Sequence, residues 1–346
     1  MAAYISFQPS DYFNTLLYDG NNSTQALTGV GFQPDATWIK SRNNTDNHAL
    51  YDAVRGATET LYPNDNAIEA TNANSLTSFD ADGFTCGDAN IVNGGTGRIY
   101  ASWNWKAGTT SGLSGGTITP SSYSINTTSG FGIYTWAGTG VAGTIAHGLG
   151  VTPKMVILKS TTHDSYWFVY HNGIAADAET DYLNLNDTTA AGDSATIWND
   201  TAPTSSVFSV GTNTDVNGSG RTYVAYVWAD VKGYSKFGSY TGNGNADGAF
   251  VYTGFRPAYL FVKQVAEARS WNQFDFKRSP ANVVNDQLVL NSTAINEEKT
   301  MCDFVSNGFK ARATDDGINK SAQQYIYAAF AEFPIVSSNS KAGTAR

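Results

Sequence analysis

The chain has 346 residues, a formal net charge of −9, and only 15% charged residues beside 41% apolar and 13% aromatic ones. An acidic chain without a basic stripe excludes a nucleic-acid backbone as partner, because phosphate binding needs clustered Lys and Arg. No stretch approaches the length needed to span a bilayer, which excludes helical membrane insertion.

From the N-terminus onward, one pattern is written three times. An opening segment places an aromatic residue two before a Gly: Tyr18 before Gly20, Trp136 before Gly138, Tyr240 before Gly242. A Pro then leads, after five residues, to a Lys: Pro34 to Lys40, Pro153 to Lys159, Pro257 to Lys263. Twelve residues on stand Asp52, His171 and Asp275. A Leu-x-x-Asn tetrad follows (Leu61 to Asn64, Leu183 to Asn186, Leu288 to Asn291), then Phe84, Phe208 or Phe309, then an aromatic-rich run ending near Trp105, Trp228 or Phe330. The lysines lie 119 and 104 residues apart, so each copy is domain-sized and longer than a solenoid unit.

Each Pro cannot sit mid-sheet and marks a strand start, so 36–40, 155–159 and 259–263 read as strands. A second strand is predicted at 167–170 and 271–274, and a final buried strand at 223–228 and 324–330. No convincing stretch of helical periodicity exceeds about three turns. The expectation is an all-β protein of three tandem antiparallel β-sandwich, jelly-roll-like domains: 1–107, 131–231 and 232–334. The Gly/Ser/Thr-rich stretch 108–130 reads as a flexible linker, or equally as a loop turning at Pro120, and 335–346 as a frayed tail. Repeats 2 and 3 meet at Lys232 and Gly233 without a linker and are expected to pack together.

The chemistry-bearing residues are few. Four histidines without a His-x-x-x-His or Cys-x-x-Cys pair give no zinc pattern, and Cys86 and Cys302, at unmatched places in their repeats, read as free thiols. No cofactor is expected. Gly112 to Gly116 spells Gly-x-Ser-x-Gly, but its flanks lack the strand and helix of a nucleophile elbow. Asp80 to Gly83 and Asp215 to Gly220 weakly resemble calcium loops and read as turns. Asp52 and Asp275 each precede an Arg by three residues, Arg55 and Arg278, while repeat 2 has His171 and Ile174 at those places. Loss of both members together is the mark of a structural ion pair, not of a catalytic carboxylate, and the chain reads as a non-enzyme. Lys40, Lys159 and Lys263 read as strand-end lysines whose stems snorkel over the core; a repeated acidic-ligand or inter-subunit contact is the alternative. Trp198, in a polar loop particular to repeat 2, is the candidate contact for a glycan or partner.

The runs Gly29 to Arg42, His48 to Gly56, Phe79 to Cys86 and Tyr100 to Gly108, with His147 to Lys159 in repeat 2, resemble a repeat of virion-surface, tail-fibre-like proteins of marine tailed bacteriophages. The resemblance is strong over repeat 1 and weaker in repeat 3, which has Phe255-Arg-Pro where repeat 1 has Phe32-Gln-Pro. It implies a phage virion structural protein, a tail fibre or appendage in host adsorption. The implied partners are other virion proteins, copies of itself in a homo-trimer, and a host-surface glycan or protein receptor. The N-terminus shows no signal peptide, so the expected location is a virion assembled from protein made in the host cytoplasm. A capsid decoration or cement protein is the alternative, and a glycan-degrading depolymerase, which needs a carboxylate pair, is a third.

Overall fold

The computed structural model describes residues 7–331, together with a two-stranded ribbon of Ile335–Val336 and Ala342–Gly343. The rest of the expected tail lies outside the described residues. The chain is all-β, and each repeat builds the same inner sheet. Its five shared strands are an opening strand (Phe13–Asp19, Phe131–Ala137, Ser235–Thr241), a lysine strand (Ala36–Ser41, Met155–Ser160, Pro257–Gln264), a partner strand (Ala49–Asp52, Phe168–His171, Asn272–Asp275), a leucine strand (Gly56–Leu61, Asp181–Asn184, Val284–Val289) and a closing strand (Ile99–Trp105, Thr222–Trp228, Gln324–Ala331). Their order is opening, closing, lysine, partner, leucine in all three, and their pairings are antiparallel. Register is conserved too: Ala36 faces Trp105, Met155 faces Trp228 and Tyr259 faces Phe330.

Side chains alternate across a strand, so each inner sheet has two faces. One face packs on outer strands of the same repeat: a separate small sheet of Gln25–Thr28, Gly83–Cys86 and Leu76–Asp80 in repeat 1 and of Gly143–Ala146 and Val207–Val210 in repeat 2, and in repeat 3 Glu297–Val305, Gly308–Ala311 and Phe250–Tyr252, which continue the inner sheet through Val284–Val289. There Phe84, Phe208 and Phe309 are buried. The other face does not stay within its repeat. Trp38, Trp103 and Trp105, Ile157, Tyr226 and Trp228, and Tyr259, Phe261 and Phe330 belong to one continuous apolar core. The equivalent residues Trp105, Trp228 and Phe330 meet there, with ring centroids 6.1 Å apart for Trp105–Trp228 and 5.7 Å for Trp105–Phe330. Three two-layer leaves thus surround a pseudo-threefold axis. The inner aromatic face of each repeat is covered by the other two, so the three repeats share one core.

Residues 108–130, expected to form a linker or loop, are pinned. Ser122–Asn126 adds a strand beside Phe131–Ala137, Ser124 Oγ donates to Asp35 Oδ1 at 2.8 Å, and residues 116–118 bridge to Ile145. Buried Ile118 and Ile125, with partly buried Tyr123 packed against the same core, anchor an otherwise polar stretch.

The opening hairpins explain their Gly. A Cβ at Gly20, Gly138 or Gly242 would lie 2.1 to 2.3 Å from the carbonyl oxygen of Gly94, Gly218 or Lys320. The preceding aromatics stack on the closing strand, Tyr18 on Tyr100, Trp136 on Tyr223 and Tyr240 on Tyr325, at 5.1, 5.5 and 5.1 Å.

Candidate functional site

The repeated residues come together at the seams between leaves. The tetrad Asn fixes the start of the partner strand: Oδ1 of Asn64, Asn186 and Asn291 accepts the backbone N–H of His48, Trp167 and Trp271 at 2.7, 2.9 and 2.8 Å. Each of those three rings then donates across a seam, to the residue after the tetrad Leu. Trp167 Nε1 reaches Tyr62 O at 3.0 Å, Trp271 Nε1 reaches Asn184 O at 2.9 Å, and His48 Nε2 reaches Val289 O at 3.1 Å, its Nδ1 accepting from Trp38. Backbone bonds repeat the circuit: Glu69 N to Thr161 O, Ala191 N to Val265 O, Asn296 N to Arg42 O. Repeat 1 joins 2, 2 joins 3, and 3 joins 1.

Asp52, His171 and Asp275 run the circuit in the other direction. Tyr226 Oη donates to Asp52 Oδ2 at 2.6 Å and Trp103 Nε1 to Asp275 Oδ2 at 3.1 Å. Each Asp also holds its own Arg, Arg55 at 2.6 Å and Arg278 in a shorter contact, and both carboxylates are fully buried. His171 needs no cation: Nδ1 accepts from Gly173 N at 3.0 Å and Nε2 donates to Tyr327 O at 3.0 Å. Burial pulls both rings down, His171 to about 4 and His48 to about 3, so both are neutral.

Lys40, Lys159 and Lys263 do not snorkel; all three are fully buried. Their ammoniums are held by carbonyls: Ser41 O and Asn44 O for Lys40, Ser165 O and Asn66 O for Lys159, Gln264 O and Thr188 O for Lys263. Asn66 and Thr188 belong to the preceding repeat, so two of the three lysines also clasp a seam. Desolvation pulls each down to about 8. Pro34, Pro153 and Pro257 lead into these strands as expected.

Trp198 is not a surface contact. It ends the short helix Ala195–Trp198, is 2% exposed, donates Nε1 to Asp181 O at 3.1 Å, and packs edge-on against Tyr170. Its polar neighbours face solvent while the ring fills the outer core of repeat 2. The two acidic turns are internally used: Asp80 accepts from Ser78 and Thr85, and Asp215 pairs with Arg221. Both thiols are buried and free. Among the described residues no three His, Cys, Asp or Glu gather as metal ligands.

Among the described residues the exposed large apolar side chains include Val141 and Val151 in repeat 2 and an aromatic pair on the outer strands of repeat 3. Phe250 and Tyr252 are 50% and 63% exposed, on one face of a strand at the end of its sheet, with buried Val251 between them. A groove of about 460 Å³ opens beside the next turn, lined by Arg256, Pro280, Asn282, Phe304 and Ser306. The sequence carried a signal for this pair, an aromatic alternation bounded by Gly248 and Gly254, which the larger tryptophans obscured. The loops at the lysine end add Ile68, Tyr166 and Ile295 as exposed apolar side chains.

The chain belongs to a protein family described as a domain of unknown function, DUF7483, which matches residues 8–334 and so takes in all three leaves. No curated protein and no solved structure matches it.

Proposed function

We propose that this member of the DUF7483 family is a structural protein of a tailed-phage virion, a tail fibre or tail appendage that takes part in host adsorption. The sequence resemblance described above motivates the reading. The observation that carries it is the closed pseudo-threefold body, in which the repeated polar residues are spent on seams and buried cores. Phe7 packs edge-on against Tyr234 with centroids 5.6 Å apart, and Ala331 N, at the end of the closing strand of repeat 3, donates to Tyr234 O at 2.7 Å, so these segments share one end of this body. The hairpin loops 42–48, 161–167 and 265–271 lie at the opposite end of the lysine strands. A body held at the Tyr234 end would present those loops outward, in triplicate, where weak contacts add by avidity. The three leaves close around one core within a single chain, so a trimer of chains is not needed to complete the fold.

Cryo-EM of intact particles with the chain located in the map tests the reading. Density at the tail, with purified protein slowing adsorption of the phage, is the expected result. Density distributed over the capsid lattice would make it a decoration protein. Shortening of host polysaccharide by the purified chain would make it a depolymerase, and either result overturns the proposal.

A further inference from the structure

Three sheets that face one axis leave a gap along it, which only side chains can fill. The filling comes from equivalent positions, one per repeat. One set is Ala36, Met155 and Tyr259, each opposite the aromatic end of its closing strand; two residues on stand Trp38, Ile157 and Phe261. The first set is badly matched in size. Ala36 offers a single methyl group and Met155 an unbranched chain. The Tyr259 ring packs over repeat 1, with centroids 5.6 Å from Phe13, 5.9 Å from Trp103 and 6.0 Å from Trp105. A cavity of about 20 Å³ remains, and all six residues of the two sets line it.

Every residue that lines this cavity is buried, and none of the cavity's surface is polar. The polar atoms of the lining side chains are directed elsewhere. Trp38 Nε1, Trp167 Nε1 and Tyr226 Oη donate to His48, Tyr62 O and Asp52. The N–H groups of Trp105 and Trp228 and the O–H of Tyr259 do not open onto it. A water molecule would need roughly two to four polar partners there and would find none, although about 10–15 Å³ is room enough for a guest of that size.

We propose that the pseudo-threefold axis is a binding site for one small apolar molecule, a guest of the size of xenon without a hydrogen-bonding group. Dispersion supplies the attraction, because the aromatic rings and the Met155 thioether that face the gap are polarizable and lack contacts across it. All three repeats contribute to the lining, so the site exists only in the closed body. The proposal is independent of the virion reading.

The probe is xenon, applied under increasing pressure to full-length protein labelled with 13C at the methionine methyl groups. Met155 lines the cavity, while Met301 lies in the outer core of repeat 3 and serves as the internal control. Met155→Leu identifies the Met155 signal. The expected result is a Met155 methyl shift that curves toward saturation with pressure, beside a small and linear response of Met301. Ala36→Val, which extends a lining side chain into the gap, should abolish the saturable shift, and an unmoved Met301 signal reports that this variant is folded. Should Ala36→Val not fold, the titration of the unsubstituted protein decides by itself. A Met155 response as small and linear as that of Met301 overturns the proposal, as does a saturable shift that survives in folded Ala36→Val. A nuclear Overhauser contact between water and the Met155 methyl would place solvent on the axis and overturn it as well.

Discussion

Two seams solve the same problem with opposite chemistry. Between repeats 3 and 1, Asp275 accepts a bond from Trp103 and carries Arg278; between repeats 2 and 3, His171 donates a bond to Tyr327 O and carries no ion. The difference follows from the opposing strand. Trp103 and Tyr226 offer a side-chain donor, but the residue at that place in repeat 3 is Ala328, which offers none. The available group there is a main-chain acceptor, so the residue facing it must be a donor. Both residues also cap the turn that follows, Asp275 through Arg278 N and His171 through Gly173 N. Pseudo-symmetry therefore conserves the bond across the seam and the cap beneath it, and leaves the identity of the residue free.

Breaking either side of this match should have the largest effect. His171→Asp sets a carboxylate against a carbonyl with Ile174 in place of a cation. Asp275→Ala leaves the Arg278 guanidinium buried without its counter-ion. Each should cost about 3–5 kcal/mol in a denaturant titration. A loss below about 1 kcal/mol in both would show that the seams are incidental to stability. Next comes Trp198→Ala, for which truncation of a buried indole predicts about 3 kcal/mol and no specific effect on partner binding. An unchanged midpoint would return Trp198 to the surface.

The pH dependence sharpens the contrast between a neutral and an ionic seam. The His171 and His48 rings titrate near 6.5 when unfolded and at about 4 and about 3 when folded. Between those limits the unfolded chain binds more protons, so stability falls as pH drops below 6.5, by at most about 1.4 kcal/mol per pH unit for each ring. His171→Asn should flatten that acid limb, as read by thermal melts from pH 7 to 4. The lysines act at the other end. Held at about 8 when folded and 10.5 when unfolded, they add stability as pH rises through that window. Lys159→Met orphans the carbonyls of Asn66 and Ser165 and should cost about 1–2 kcal/mol at neutral pH.

The periodicity in the sequence revealed the repeat, its strands and the Asp–Arg pairs, because those are local spacings. The sharing of one core was hidden, since Met155 to Leu158 is apolar at every position and a strand buried on both faces carries no alternation to say what lies on each. The lysines were misread for a related reason. A terminal cation implies solvent unless backbone carbonyls arrive from elsewhere, and Asn66 and Thr188 arrive from a different repeat. Trp198 misled because its neighbours Asn199 and Asp200 are exposed while its ring is not. The Leu-x-x-Asn tetrad was visible as a pattern, but its role as a clamp on the partner strand needed the tertiary pairing.

The seat of Tyr234, touched by Phe7 on one side and bonded to Ala331 on the other, brings the start of repeat 1 and the end of the closing strand of repeat 3 to a common point beside the passage from repeat 2 to repeat 3. The backbone from residue 7 to residue 331 is thereby a nearly closed loop, and the place where the three leaves are cut is arbitrary with respect to their seams. A circular permutant that opens between Lys232 and Gly233 and joins residue 331 to residue 7 through a short linker should fold to the same body, since no seam bond would be lost.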